Sequence, residues 1–169
     1  MPPPQPTPPP TPVTFTPFTD EDYMLWPVYG YVVMPFSQDR LIFNETLHSW
    51  RTNDDVRIES DPGTPVRTAA PGQVMSVGEC DDFGNYVHIY NGNGWETIIA
   101  QLSPAILVRE GDIVQTGQII GTVGSPTLSS YLDGYHVSFR VFWEDELFDP
   151  AYVLQDLDYD FWDDYDYDY

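Results

Sequence analysis

The sequence predicts an all-β domain, an antiparallel sandwich or barrel-like sheet of short strands. Three observations carry this. Residues 135–143 (Tyr-His-Val-Ser-Phe-Arg-Val-Phe-Trp) and 85–90 alternate apolar and polar side chains with the period of a half-buried strand. Glycine-, proline- and asparagine-rich turns recur at short intervals between apolar runs. No stretch between residues 25 and 154 sustains the 3.6-residue period of a helix.

In order along the chain, residues 1–18 hold nine of the seventeen prolines, interleaved with threonine. Proline cannot donate to a helix or ladder, so this tract reads as a polyproline II spacer; a ligand for a proline-binding groove is the alternative. Residues 19–24 form an acidic hinge, and 1–24 together are expected to be disordered. The folded domain spans 25–154. Leu25-Trp26-Pro27-Val28 opens it, residues 29–34 form a strand closed by Pro35, and 41–43 are a short apolar run. Strands at 66–69 and 72–78 flank a Pro-Gly turn. The strand at 85–90 turns at Asn91-Gly92-Asn93-Gly94 and returns as 95–102, a hairpin signature. Residues 108–114 and 118–124 are short strands around glycine turns, 135–143 is the clearest strand, and 149–154 closes the domain. Residues 155–169 alternate aspartate with aromatics; a strand there would carry a row of like charges on one face, so the tail reads as disordered, with docking to a basic partner as the alternative.

Composition excludes several functions. The 169 residues suffice for one domain with a core. Against 27 acids stand six basic residues, all arginine, for a net charge of −21. Nucleic acids and anionic membranes are repelled by such a surface. The absence of lysine rules out amine-dependent covalent chemistry, including biotinyl or lipoyl attachment. Cys80 is single and reads as a small hydrophobe. No apolar run reaches the roughly 18–20 residues of a membrane span, and the proline-rich start suggests a soluble piece of a larger, membrane-anchored protein.

Four segments carry a family resemblance: Gly63-Thr64-Pro65-Val66 with Ala69-Ala70-Pro71-Gly72-Gln73-Val74; Gly84-Asn85-Tyr86-Val87-His88-Ile89; residues 108–121 (Val-Arg-Glu-Gly-Asp-Ile-Val-Gln-Thr-Gly-Gln-Ile-Ile-Gly); and Tyr135-His136-Val137-Ser138-Phe139-Arg140-Val141. In order and spacing they resemble the lysostaphin-like (LytM) peptidases of family M23, whose fold is a duplicated hybrid motif of β-strands. Trp26-Pro27-Val28 and residues 46–52 are most similar to the family's stage II sporulation protein Q branch. The resemblance implies a zinc site built from H-x-x-x-D and H-x-H, with a further histidine assisting from a neighbouring strand. Carried over, the ligand positions fall on Asn53, Arg57 and Ser138, and the assisting positions on Gln101 and His136. Only His136 keeps the family's residue type. A neutral amide, a hydroxyl and a permanent cation cannot replace two imidazoles and a carboxylate, so no metal, no cofactor and no hydrolase activity are expected.

An ion pair of Arg57 with Asp54, Asp55 or Glu59 is expected to fill the groove. A different metal site from Asp54, Asp55, Glu59, His48 and His136 is a remote alternative, and His48 and His88 read as ordinary surface or strand residues. Trp50 is either a partner anchor or a cap on the core. The implied function is that of a pseudo-enzyme: the extracytoplasmic part of a membrane-anchored sporulation protein at the forespore membrane. It would dock a stage III sporulation protein of the AH type across the intermembrane space, within a ring-forming oligomer, by edge-strand addition or through the groove. Peptidoglycan is a further candidate partner. A peptidase with unusual ligands and a regulator of wall hydrolases are the alternatives; carriers of similar barrel topology lack their lysine or their second histidine.

Overall fold

The alternation at residues 135–143 is realised as a strand, His136–Trp143, that puts Val137, Phe139 and Val141 at zero exposure on one face. His136, Ser138 and Arg140 fall on the other. The computed structural model describes residues 1–8 and 14–155. Among them the strands are β1 (Val32–Met34), β2 (Ser37–Asn44), β3 (Ser49–Asn53), β4 (Val56–Glu59), β5 (Pro65–Arg67), β6 (Gly72–Cys80), β7 (Gly84–Gly92), β8 (Trp95–Leu102), β9 (Ile113–Val114), β10 (Ile119–Thr122), β11 (His136–Trp143) and β12 (Glu146–Phe148). The main sheet runs β1-β4-β11-β8-β7-β6-β9, with β12 paired to β11. Two smaller sheets, β10-β5 and β2-β3, complete an architecture whose strand pairs are antiparallel. No helix among the described residues is long and apolar enough to cross a membrane.

The core lies between the inner face of the main sheet and the segments folded over it. Val56, Ile58, Val87, Ile89, Ile99, Val114 and Ile120 are fully buried there with the inward residues of β11. Burial of each such side chain stabilises by about 1.5–3 kcal/mol.

The β7–β8 hairpin turns where the sequence signals it. Asn93 (φ 53°) and Gly94 (φ 84°) both occupy the left-handed region that a two-residue primed turn requires. β1 is shorter than the strand expected at 29–34. Gly30 crosses so close to β4 that a Cβ there would lie 1.8 Å from the Glu59 carbonyl oxygen, and regular pairing starts only at Val32. The strand expected at 108–114 is reduced to Ile113–Val114, because Arg109 and Asp112 close a turn in which Asp112 Oδ2 accepts from the Arg109 amide at 2.9 Å. Residues 149–154 end the domain as a 3-10 turn over Pro150–Tyr152, capped by Asp149, which accepts from the Ala151 amide.

Packing begins earlier than Leu25, inside the stretch read as linker and hinge. Phe18 is 2% exposed, stacks edge-on against Trp95 at 5.3 Å, and donates its amide to the Asn91 carbonyl. Met24 is fully buried and forms a parallel bridge with Leu154. Residues 1–8 are exposed and without regular structure. The tail expected to be disordered lies outside the described residues except for Gln155, whose amide donates to the Met24 carbonyl at 2.8 Å.

Candidate functional site

On the face of the sheet opposite the core, strand register gathers most of the residues to which the sequence pointed. Ser138 on β11 is paired directly with Arg57 on β4 and with Ala100 on β8. Because side chains two apart share a face, His136, Ser138 and Arg140 line up beside Arg57. Asn53 arrives from the end of β3, and Gln101 from the end of β8. The segment Leu128–Asp133, a kinked 3-10 stretch not foreseen from sequence, closes over this face.

Arg57 is the hub. Its Nε lies 3.2 and 3.3 Å from the two oxygens of Asp55, one Nη donates to Asp133 at 2.5 Å, and the other reaches Asn53 Oδ1 at 3.5 Å. Burial opposes its charge and is the largest single influence. The Coulombic attraction of Asp55 and the hydrogen bond donated to Asp133 more than offset it, so the guanidinium is held above its ordinary pKa. Asp55, 2% exposed, also accepts from the Ser138 hydroxyl at 2.5 Å. The Asn53 amide donates to the Pro35 carbonyl (2.9 Å) and the Asp55 carbonyl (2.7 Å). Each of the three positions is thereby tied into one network whose cation is an arginine.

These donors do not fit a zinc ion. Ser138 directs its proton at Asp55, the Asn53 nitrogen is engaged with two carbonyls, and the guanidinium lies within reach of both Asn53 and Asp55. A dication would meet a fixed positive charge there. Among the described residues no group of three or more His, Cys, Asp or Glu is arranged to hold a metal ion. The alternative set is scattered: Asp54 accepts from Gln38 at 2.6 Å, His48 stacks edge-on against Phe43, and Asp55 is turned onto Arg57.

His136 and Gln101 flank the network. His136 is 1% exposed. Its Nδ1 lies 2.8 Å from the Gly134 carbonyl oxygen, which can only accept, so Nδ1 carries the proton and Nε2 presents a buried lone pair without a partner. Burial pushes its pKa below the ordinary value, the Gly134 bond partly opposes this, Arg57 adds to the lowering, and Asp133 and Asp55 counteract. Gln101 sits at φ 64°, a left-handed conformation unusual for a strand end. Its amide nitrogen reaches Ser130 Oγ at 3.2 Å and Thr127 Oγ1 at 3.4 Å, while Oε1 is buried without a partner.

Sequence reasoning named Asp55 as one partner of Arg57 but also offered Asp54 and Glu59. The geometry selects Asp55, and Glu59 lies exposed on β4. The second partner, Asp133, and the seal made by Thr127 and Ser130 were missed; residues 76 positions apart in sequence carry no spacing signal. Trp50 is 59% exposed and leans on Phe43 at 5.5 Å, so it does not cap the core.

The model of peptidase family M23 matches residues 51–150, which span the whole network from Arg57 to Ser138. DD-carboxypeptidase/endopeptidase Mpg of Neisseria meningitidis serogroup B is 35% identical over 113 residues, 67% of this chain and 24% of that protein. The uncharacterized lipoprotein YgeR of Escherichia coli is 30% identical over 117 residues, 69% of this chain and 42% of that protein. The chain thus spans about a quarter of the Neisseria relative. Csd3 of Helicobacter pylori superposes with a TM-score of 0.65 at 25% identity, covering 80% of this chain and 36% of that one. A chain of the SpoIIQ–SpoIIIAH pore-forming complex superposes with a TM-score of 0.66 at 21% identity over 79% of this chain and 92% of that one, a likeness of fold. The family model covers more than half of the chain, the Neisseria relative matches two thirds of it, and β11 presents His136 and Ser138 on one face: this protein belongs to peptidase family M23.

Proposed function

We propose that this M23 domain does not hydrolyse peptides and works as a binding module outside the cytoplasm. The observation that carries the reading is the Arg57 network: a buried guanidinium, neutralised by Asp55 and Asp133, at the position that the resemblance assigns to the family's carboxylate ligand. Peptide hydrolysis by zinc requires an ion that polarises the carbonyl and acidifies a water. An amide, a guanidinium and a hydroxyl already engaged in one network are a poor set of ligands for such an ion, and Gln101 cannot exchange a proton as the assisting histidine would. His136 keeps a lone pair, but a base with nothing to activate does no chemistry.

The expected partner is a protein of the AH-type sporulation class, met in the space between two membranes by a membrane-anchored form of this chain. Two points support it: the fold likeness to a chain of the SpoIIQ–SpoIIIAH complex spans nearly all of that chain, and the lipoprotein YgeR is among the sequence relatives. Ring formation belongs to the same reading. A second reading, hydrolysis of peptidoglycan, is favoured by the Neisseria relative, a DD-carboxypeptidase/endopeptidase.

Elemental analysis of the purified protein, paired with digestion of muropeptides, separates the two. The binding module is expected to carry no stoichiometric zinc and to leave the muropeptides intact; stoichiometric zinc with cleavage overturns it. Titration against the soluble domain of an AH-type protein, followed by sedimentation, tests partner and ring together, and absence of binding removes that partner.

A further inference from the structure

A cleft of about 480 Å³ opens at the other end of β11, five residues and about 17 Å from Ser138. Its walls include Trp95, Trp143, Phe148 and Tyr152, with Asp20 and Asn93 beside them. The aromatic set is built, not incidental. Trp95 and Trp143 lie 5.9 Å apart at 33°, Phe148 meets Trp95 edge-on at 4.9 Å, and Tyr152 meets Phe148 at 6.2 Å. Trp95 is the buried floor, whereas Trp143 and Tyr152 are 43% and 77% exposed.

The polar wall is one-sided. The Thr19 hydroxyl donates to Asp22 and the Asn93 amide to the Phe18 carbonyl, which leaves the Asp20 carboxylate and the Asn93 side-chain oxygen as acceptors. Glu144 packs against Gly94 at the rim, next to exposed Asp145 and Glu146. Among the described residues no basic side chain lines the cleft, while three of the six arginines, Arg51, Arg57 and Arg140, line the groove around Asn53 together with Asp54 and Asp82. The two ends of β11 therefore differ: at one, arginines and aspartates face one another, and at the other acids stand beside aromatics with no cation to balance them.

We infer that this cleft captures an arginine or lysine side chain presented by a protein partner. Ring faces attract a cation through their quadrupole, and a neighbouring carboxylate strengthens the hold. A guanidinium or ammonium only donates hydrogen bonds, which matches a wall offering acceptors. An acidic segment is repelled, and the unbalanced negative charge favours a cation over a neutral sugar, although the Trp143 indole and the Tyr152 hydroxyl also offer donors. The negative field of the molecule speeds the encounter with a basic surface. The site is independent of the Arg57 network, so its failure leaves the reading of that network standing.

The test follows the five indole NH resonances of the 15N-labelled full chain in 0.15 M salt during titration with acetyl-tetra-arginine amide, acetyl-tetra-glutamate amide and chitotetraose. The arginine peptide is expected to move Trp95 and Trp143 saturably, and the other two probes to leave them in place. Trp143→Ala and Tyr152→Ala are each expected to weaken binding about fivefold or more; Tyr152 is exposed, so its removal spares the fold. Glu110→Gln, an exposed charge elsewhere, is expected to change binding less than twofold. Equal losses in Glu110→Gln and the aromatic variants, movement of Trp162 alone, or movement of Trp143 by chitotetraose instead of the peptide each overturn the inference.

Discussion

Arg57 shows how one side chain reorganises a site. It is a buried cation with one carboxylate partner two residues before it and the other 76 residues after it, so its removal strands Asp55 in a site with 2% exposure. Arg57→Ala is expected to lose about 3 kcal/mol in urea unfolding, and Arg57→Met with Asp55→Leu and Asp133→Asn to recover most of that loss, because a buried ionic group stabilises little over a neutral one of similar size. His136 makes a pH prediction. Its folded pKa lies below the ordinary histidine value, so the unfolded chain binds the proton first. Its contribution is present above about pH 6.5 and is lost as pH falls toward the folded pKa. Unfolding midpoints measured from pH 7.5 to 5 are expected to fall in the wild type by more than in His136→Gln. Arg57, Asp55 and Asp133 are the charged groups around the imidazole; Arg57 keeps its charge throughout this range. The family resemblance pointed to Asn53, Arg57, Gln101, His136 and Ser138, which strand register brings close together. The network joining them was not legible, since Asp133 belongs to a 3-10 segment without periodicity.

At the scale of elements, the strands announced themselves where alternation met a glycine turn, as in β7, β8 and β11. β12 went unread for a specific reason. Its turn places Glu144 (φ 48°) and Asp145 (φ 64°) in the left-handed region, where Asn-Gly would be the visible signal. Trp143 still pairs with Glu146 across that turn. The double substitution Glu144→Asn, Asp145→Gly is expected to stabilise the domain by about 1 kcal/mol in thermal melts, because it removes strain without touching the pairing. β3 and β4 were hidden for a different reason: their exposed polar residues dilute the pattern, and only Val56 and Ile58 face the core.

For the whole molecule, restoring the family's ligands tests whether the scaffold still encloses a metal position. The quadruple variant Asn53→His, Arg57→Asp, Gln101→His, Ser138→His would crowd its new carboxylate beside Asp55 and Asp133. Without metal it is expected to melt well below the wild type, and with zinc to regain several degrees, since a ligand that binds only the folded state stabilises it by mass action. The wild type is expected to show no zinc-dependent shift in the same calorimetric scan. An unchanged variant would mean that the strands no longer hold those positions at bonding distance. The all-β architecture was legible throughout, because it depends on local alternation and turn chemistry. The point where packing starts was not: Phe18 follows a run of prolines, and nothing local distinguishes a ring that finds Trp95 from one that stays in water.

The bridge between Met24 and Leu154 gives the fold a mechanical character. The two segments run parallel there, joined by Met24 N to Val153 O at 2.7 Å and Gln155 N to Met24 O at 2.8 Å, with the Trp26 indole bonded to the Gln155 carbonyl at 2.8 Å. Pulling residue 14 away from residue 155 loads these bonds in shear, all at once, instead of peeling them singly. Three bonds would have to give way together before the two segments part.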